Sequence, residues 1–215
     1  YHDHPLTWVV GQVKSREYSG GGGKFVERTF HATSALPISL KRFGHALETY
    51  AYHADGTLNT VTDGNGKVTT LSSWYRGVPQ SIKYPSTPEA SSGATQAATV
   101  NARGEITSVT DEPGYTTSYG YDLMGRLSSI THPGGDSTTW SSTTRNFTKV
   151  NAVEFGIPAG HWRLTETTGT HAKDTYYDGL WRPLLTRERD SSNSATTRYV
   201  KRAFDHEGRE TFASY

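Results

Sequence analysis

The first residues with metal-binding chemistry are two histidines close to the start of the chain. His2 and His4 flank Asp3, and residues two apart on an extended strand point to the same face. Imidazole is a common metal ligand, so a metal-dependent hydrolase is one functional hypothesis. A polar terminal strand explains the same three residues without any metal, because no third ligand is found close by in the sequence.

The sequence contains no motif that marks a nucleophile. It has no Cys, which excludes thiolate chemistry and disulfides, and it lacks the G-x-S-x-G motif of an activated serine. Its aspartates recur at equivalent positions of a repeat instead. A catalytic acid occurs once, whereas a residue that makes a turn recurs in every unit. The favoured prediction is therefore a chain that is not an enzyme and that has no catalytic residue, metal or cofactor.

Aromatic residues carry a third hypothesis, which is carbohydrate binding by a cell-surface or adhesion module. His161, Trp162 and Arg163 place a ring, a hydrogen-bond donor and a cation side by side. Large aromatics at equivalent positions of a repeat also pack between hairpins, so both interpretations stay open. The tryptophans available for stacking on a sugar are Trp8, Trp74, Trp140, Trp162 and Trp181.

Composition indicates the elements that must position these residues. The chain has 22 basic and 21 acidic residues for a net charge of +1, which does not resemble the basic surface of a nucleic-acid-binding protein. No apolar run is long enough for a membrane span. Thr and Tyr are abundant, and both suit strands with one solvated face. The predicted fold class is all-β.

A repeat of 48 residues is the most informative signal. Residues 56–66 and 104–114 share the pattern G-x-[LI]-x-x-V-T-D-x-x-G, and after ten intervening residues each copy has another Gly. Gly77 is therefore aligned with Gly125. Self-similarity of this kind indicates a repeat architecture.

A second pattern, Y-D-x-x-G-R, recurs with looser spacing. Residues 121–126 have it in full, residues 204–209 have Phe for Tyr, and residues 177–182 have Trp181 in place of Gly. The structural positions of the two patterns are Gly56, Asp63, Gly66, Gly77, Gly104, Asp111, Gly114, Tyr121, Asp122, Gly125, Arg126, Tyr177, Asp178, Arg182, Phe204, Asp205, Gly208 and Arg209.

Each copy predicts a β-hairpin. The aromatic residue ends a strand, Asp bonds the backbone two residues on, and Gly supplies a positive φ before the return strand. Apolar residues of the return strand lie three apart, as Leu127 and Ile130 do. Strict alternation therefore fails, and either a β-bulge or burial on both faces would account for it. Arg126 and Arg209 are candidates for ion pairs with an Asp of a neighbouring repeat.

These phrases resemble the YD repeats of the RHS family, which includes the Tc-toxin B/C shells and the teneurins. The resemblance covers residues 50–215 well and residues 1–49 loosely, and it is weakest over 137–176. It implies antiparallel β-hairpins laid side by side in a spiralling, solenoid-like sheet that forms part of a hollow shell around a toxin or other cargo. The Asp-Pro segment associated with self-cleavage in this family is absent.

The resulting expectation is a structural segment of such a shell, with no catalysis in this fragment. Residues 1–50 are predicted to form a β-rich lead-in of divergent repeats, and residues 51–215 the YD repeats, in one continuous unit of a larger chain. The expected partners are the remainder of the shell, an enclosed C-terminal toxin domain and, in the alternative, glycans, but no nucleic acid. We expect a secreted, cell-surface or exported protein whose isolated fragment self-associates through its sheet edges.

Overall fold

A computed structural model describes residues 1–4, 9–135 and 137–214. These residues contain no helix, and therefore none long and apolar enough to cross a bilayer. The strands are β1 (His2–His4), β2 (Val9–Gln12), β3 (Ser15–Glu17), β4 (Lys24–Phe30), β5 (Pro37–Arg42), β6 (His45–Tyr52), β7 (Leu58–Asp63), β8 (Val68–Tyr75), β9 (Val78–Lys83), β10 (Thr95–Val100), β11 (Ile106–Thr110), β12 (Thr116–Tyr121), β13 (Leu127–Thr131), β14 (Thr143–Val150), β15 (His161–Thr168), β16 (His171–Tyr177), β17 (Pro183–Asp190), β18 (Asn193–Phe204) and β19 (Glu210–Ala213).

The chain divides into two compact units, residues 1–115 and 116–215. In the first unit, β1 and β2 form a separate two-stranded hairpin, and β3 to β11 form a meander in which each strand is antiparallel to the next. In the second unit, β12 to β19 are paired in the same way. The prediction of an all-β fold of antiparallel hairpins is confirmed. The proposed division at residue 50 stays a prediction.

A β-bulge explains why apolar residues are three apart in the return strands. Tyr119 pairs with Ile130, but the register shifts after Gly120, so that Tyr121 pairs with Leu127. Two aromatic residues that are two apart thus face two apolar residues that are three apart. The same shift follows Ala51, Thr99, Tyr176 and Ala203. Of the two explanations left open by the sequence, the bulge is the correct one.

Few side chains are fully buried, as expected for a sheet with solvated faces. The buried apolar cluster lies in the second unit and consists of Ile157, Tyr176 and Leu185, with Leu184 packed against it. Tyr176 has no exposed surface. This cluster lies within or beside the stretch in which the repeat pattern is weakest, so the pattern does not mark the best-packed part of the chain.

The second residue of a turn provides a test of close backbone packing. Gly64 and Gly179 occupy the same position in the turns 63–66 and 178–181. A Cβ on Gly64 would lie 2.5 Å from the carbonyl oxygen of Ala46, whereas a Cβ on Gly179 would meet nothing within 4 Å.

We predict that Gly64→Ala lowers the free energy of unfolding by about 1–3 kcal/mol, because backbone must move to relieve the overlap. Gly179→Ala should leave it unchanged or raise it by up to about 1 kcal/mol, because it only restricts the unfolded chain. Urea denaturation followed by circular dichroism measures both. Equal effects of the two substitutions would contradict the assigned packing.

Candidate functional site

The Y-D-x-x-G-R segment folds as a three-residue hairpin loop closed by its own aspartate. The main-chain N–H of Asp122 donates to the carbonyl of Arg126 (2.9 Å), and that of Gly125 donates to the carbonyl of Asp122 (3.0 Å). Oδ1 of Asp122 accepts the amides of Met124 and Arg126, both at 2.9 Å. These bonds, with that from the Arg126 backbone the strongest, hold the pKa of Asp122 below its usual value.

The same pair of main-chain hydrogen bonds occurs in seven turns of the described residues. The fourth residue of each turn has a positive φ, the left-handed conformation that closes this type of loop. The first residues are His53, Asp63, Asn101, Asp111, Asp122, Asp178 and Asp205, and the fourth residues are Gly56, Gly66, Gly104, Gly114, Gly125, Trp181 and Gly208.

The two sequence patterns therefore describe one turn. Asp63 accepts the amides of Asn65 and Lys67 at 2.8 Å in the way that Asp122 does. In the V-T-D-x-x-G copies, a strand begins after the first Gly of the pattern. That strand leads into the turn, which the second Gly closes. The patterns differ in the residues that flank the turn, which is why they look unrelated in the sequence.

The turn that begins at Asn101 was missed in the sequence because Asn stands where the pattern has Asp. Asn101 accepts the amides of Arg103 (2.9 Å) and Glu105 (3.1 Å) through Oδ1. Its other side-chain atom, Nδ2, donates to the Glu105 carboxylate at 2.6 Å. The signal in the sequence is the phrase V-N-A-R-G-E-I, in which Asn replaces Asp before an x-x-G.

Gly77 does not belong to this turn, and its alignment with Gly125 is wrong in structural terms. Arg76 and Gly77 form a two-residue hairpin loop, with φ values of 52° and 81°, between the paired residues Tyr75 and Val78. Two successive positive φ values define a type I′ turn. The spacing of 48 residues matched glycines that close loops of different length.

Trp181 occupies the left-handed position that Gly fills elsewhere. Its φ is 65°, a conformation that costs a bulky residue of order 1–3 kcal/mol. The indole packs against Phe147 and Trp162, with centroids at 5.3 and 5.6 Å, and lies near Tyr177. The aromatic contacts offset the strain of the turn.

The arginine after the turn pairs with the aspartate of its own turn, so the expected pairing with a neighbouring repeat is wrong. Nε of Arg126 donates to Oδ2 of Asp122 at 2.7 Å, and the bond between Arg209 and Asp205 is 2.8 Å. The spacing of Asp and Arg determines this pairing, because the loop reverses the chain and places residues four apart next to each other. Arg182 and Asp178 form the same pair at 2.7 Å.

Held in this way, the guanidinium covers an aromatic ring of a following strand. Arg126 lies over Phe147 at 4.6 Å, and Arg182 lies over Phe204 at 5.0 Å. Nη1 of Arg182 also donates to the carbonyl of Asp205, the first residue of the next turn (3.2 Å). We call this arrangement, in which Asp holds Arg and Arg covers an aromatic ring, the Asp–Arg–aromatic clasp. The clasp connects a turn to a strand or turn that is distant in sequence.

The tryptophans proposed for sugar binding have different surroundings. Trp162 is partly buried and stacks on Phe147 at 5.0 Å, and Trp74 donates its Nε1–H to the carbonyl of Leu58. Trp140 and Trp181 expose 58% and 53% of their surface, and Trp8 lies outside the described residues. Packing is thus the observed role of Trp162, and carbohydrate binding stays a prediction.

The metal hypothesis receives no support from the residues that suggested it. The His2 ring stacks on Phe30 with centroids 4.8 Å apart, and Asp3 accepts the amide of Gly11 at 2.7 Å. The side chain of His4 lies outside the described residues. Within the described part of the chain, no group of three or more His, Asp or Glu side chains could hold a metal ion.

A buried carboxylate that sequence reasoning missed lies on β16. Asp174 is 2% exposed and accepts hydrogen bonds from Thr165 (2.7 Å), from Arg187 (2.7 and 3.0 Å) and from Arg189. Burial by itself would raise the pKa of Asp174, but these bonds and the two positive charges outweigh it and lower the pKa. All its partners lie on neighbouring strands, so no local motif marks it.

Residues 151–160, here called the strap, cover the same face of the sheet. Both carboxylate oxygens of Glu154 accept bonds from Nη1 of Arg163 (2.8 and 3.0 Å). Phe155 packs edge-on against Tyr176 at 5.4 Å. Buried His161 donates from Nδ1 to the carbonyl of Pro158 at 2.8 Å. The strap thereby closes the apolar cluster of the second unit.

The comparisons with known proteins agree with this geometry. Residues 100–137 match the model of the RHS repeat, and that segment includes the turns that begin at Asn101, Asp111 and Asp122. Teneurin-4 of Homo sapiens and teneurin-4 of Mus musculus are each 26% identical to this chain over 161 residues, which cover 67% of the chain and 6% of the teneurin.

Two solved structures have a similar fold. One is the Photorhabdus luminescens Tc holotoxin pore, with a TM-score of 0.60 and 15% identity over 90% of this chain and 11% of the other. The second is the crystal structure of TcdB2-TccC3-TEV, with a TM-score of 0.56 and 17% identity over 88% and 11%. The chain thus spans a small fraction of each relative.

The fold and the turns define a protein built from β-hairpin repeats. Residues 100–137 match the RHS repeat, and the resemblance to RHS and YD-repeat proteins predicted from the sequence is confirmed.

The Asp174 cluster yields a prediction for pH dependence. Because the pKa of Asp174 is lowered on folding, its stabilising contribution is complete above the unfolded pKa of about 3.9 and is lost as the pH falls through the folded value. We predict that Asp174→Asn lowers the free energy of unfolding by roughly 2–3 kcal/mol at pH 7. The predicted loss is at or below the lower limit of the losses that follow removal of one partner of a buried ion pair, because both arginines are partly exposed.

Urea denaturation between pH 7 and pH 3 measures the difference between the two proteins, which should shrink below about pH 4. Glu89→Gln, in an exposed loop, is the control and should change the free energy of unfolding little. A difference between wild type and Asp174→Asn that does not vary with pH would contradict the assigned role of the carboxylate.

Proposed function

We propose that the chain is a structural segment of an RHS or YD-repeat shell that encloses a toxin or other cargo, and that it performs no catalysis itself. The observation that carries the proposal is the use of the recurring polar residues. Asp63, Asn101, Asp122, Asp178 and Asp205 each give one side-chain oxygen to two main-chain amides of their own turn. The hydrogen-bonding capacity of these residues is used to close hairpins.

A long meander of short hairpins suits a wall. An isolated hairpin is marginally stable in water, and stability comes from packing against neighbouring strands. In this chain, the clasps of Arg126 and Arg182 supply such contacts between hairpins. The wall can be extended by further repeats of the same kind, as the length of the RHS and teneurin relatives suggests.

Partners and location follow from the same proposal. The partners are the remainder of the shell and the domain that it encloses, and the protein is secreted, displayed on the cell surface or exported. Similarity to teneurins and to a Tc holotoxin supports an extracellular setting. Self-association of the isolated chain through its outer strands stays a prediction.

Protease protection tests the proposal in the longer polypeptide that would form the shell. Asp122→Ala combined with Asp178→Ala should open two turns of the wall, because each turn loses two amide bonds and an ion pair. The enclosed domain should then be digested several times faster than in the wild type. Glu112→Ala, at an exposed second position of a turn, is the matched control.

Digestion of the second domain is followed by gel electrophoresis and mass spectrometry under native conditions. A cargo domain that is cut in the wild-type protein as fast as in the free state would contradict encapsulation. Catalytic turnover by the isolated chain, abolished by Asp178→Asn, would contradict the structural role of the turns.

A further inference from the structure

A cavity in the first unit is lined by residues that belong to none of the turns or clasps described above. It has a volume of about 390 Å³, within the range of small-ligand sites. It lies against β2 to β6, remote in sequence from the turns that match the RHS repeat. The described residues that line it are Gln12, Val13, Arg16, Arg28, Phe30, Pro37, Leu40 and Tyr50.

Strand register brings the cationic and apolar parts of this lining together. Arg28 pairs with Leu40, and Phe30, two residues further on the same face of β4, pairs with Pro37. Arg16 on β3 is paired with Val26 of β4. One side of the cavity is thus apolar, and two guanidinium groups lie beside it.

Neither arginine forms an ion pair with a carboxylate of the described residues. Among the described residues, no carboxylate lies within salt-bridge distance of Arg16 or Arg28, although fourteen such contacts are formed elsewhere. Arg28 makes one long hydrogen bond of 3.5 Å to the carbonyl of Val13. The lining therefore has positive charge that an anionic group would neutralise.

The hydroxyl of Tyr50, one of the lining residues, already has a hydrogen-bond partner. Its hydroxyl donates to the carboxylate of Glu48. Burial first, and then this bond and the charge of Glu48, raise the pKa of Tyr50 to about 12. The hydroxyl therefore stays protonated at neutral pH, and Glu48 is engaged with Tyr50 instead of an arginine.

Gln12 supplies an acceptor that lacks a donor. Its Nε2 donates to the carbonyl of Ala35 at 3.0 Å, which fixes the orientation of the amide. Its Oε1 is buried and has no hydrogen-bond partner among the described residues. A buried acceptor without a partner costs about 1–3 kcal/mol, so a ligand gains affinity if it displaces the atoms that cover Oε1 and donates a hydrogen bond to it.

We infer that this cavity binds the C-terminal residue of a peptide, with its carboxylate at Arg16 and Arg28, its amide N–H at Gln12 Oε1 and an apolar side chain against Phe30, Pro37 and Leu40. Arginines are well suited to carboxylates, and capture of a terminal carboxylate is a known mode of peptide recognition. A free amino acid fits less well, because its ammonium group would lie near two guanidinium groups. This binding goes beyond the structural role proposed above.

Isothermal titration calorimetry on the 215-residue chain tests the inference with four probes of one shape. N-acetyl-L-phenylalanine carries the carboxylate, the N–H and the ring. Its C-terminal amide lacks the charge, 3-phenylpropionate lacks the N–H, and free phenylalanine carries an ammonium. We expect the N-acetyl acid to bind best and the amide to bind at least about tenfold more weakly, as loss of a charged hydrogen bond implies.

Substitutions of single lining residues test which residue binds which group of the ligand. Arg16→Gln and Arg28→Gln should each lower the affinity for the N-acetyl acid about tenfold. Neither substitution should change the affinity for the amide. Gln12→Met should lower the affinity for the N-acetyl acid to that for 3-phenylpropionate and leave 3-phenylpropionate unchanged. Arg103→Gln, in the turn 101–104, is the control and should change none of these affinities.

Equal affinity for the acid and its amide, or no binding of the acid at millimolar concentration, would overturn the inference. Both comparisons use the wild-type chain and do not depend on whether a variant folds. Tighter binding of free phenylalanine than of the N-acetyl acid would likewise overturn it, in favour of an amino-acid site.

Discussion

A single side-chain oxygen that accepts two main-chain amides is the interaction on which the rest of this structure depends. At the end of a hairpin, the chain leaves the ladder and its N–H groups lose their strand partners, yet such groups are rarely left unpaired. In the turn that begins at Asp122, Oδ1 takes the amides of Met124 and Arg126. The same arrangement at Asp178 and Asp205 closes two more hairpins of the second unit.

The closed turn determines what happens on either side of it. Before the turn, a one-residue bulge lets aromatic residues two apart face apolar residues three apart, as for Tyr119 and Tyr121. After the turn, Arg126 is fixed by the second oxygen of Asp122 and covers the ring of Phe147. Ion pairs of this exposure contribute little by themselves. Their effect here is to position a guanidinium, so that a local turn becomes a contact between hairpins.

Local features were predictable from the sequence, and features that depend on distant strands were not. Asp and Gly at fixed offsets specify the turn, and the abundance of Thr and Tyr indicates strands. The turn at Asn101 was missed because Asn can replace Asp as an acceptor, and Gly77 was misassigned because two loop types both require a positive φ. The role of Asp174 depends on the placement of β16 between β15, which carries Thr165, and β17, which carries both arginines, and on the strap that covers that face. No periodicity in residues 137–176 encodes such a contact.

Amide hydrogen exchange at the turn that begins at Asp122 tests the central claim most directly. In Asp122→Ala the amides of Met124 and Arg126 lose their acceptor, whereas Asp122→Asn retains the oxygen that accepts both amides and loses the charge and the acceptor for Nε of Arg126. The account predicts faster exchange at both amides and reduced protection along β13 in the Ala variant, with protection largely kept in the Asn variant. Unchanged protection of these amides in Asp122→Ala would show that the side chain does not hold the turn, and would contradict the account.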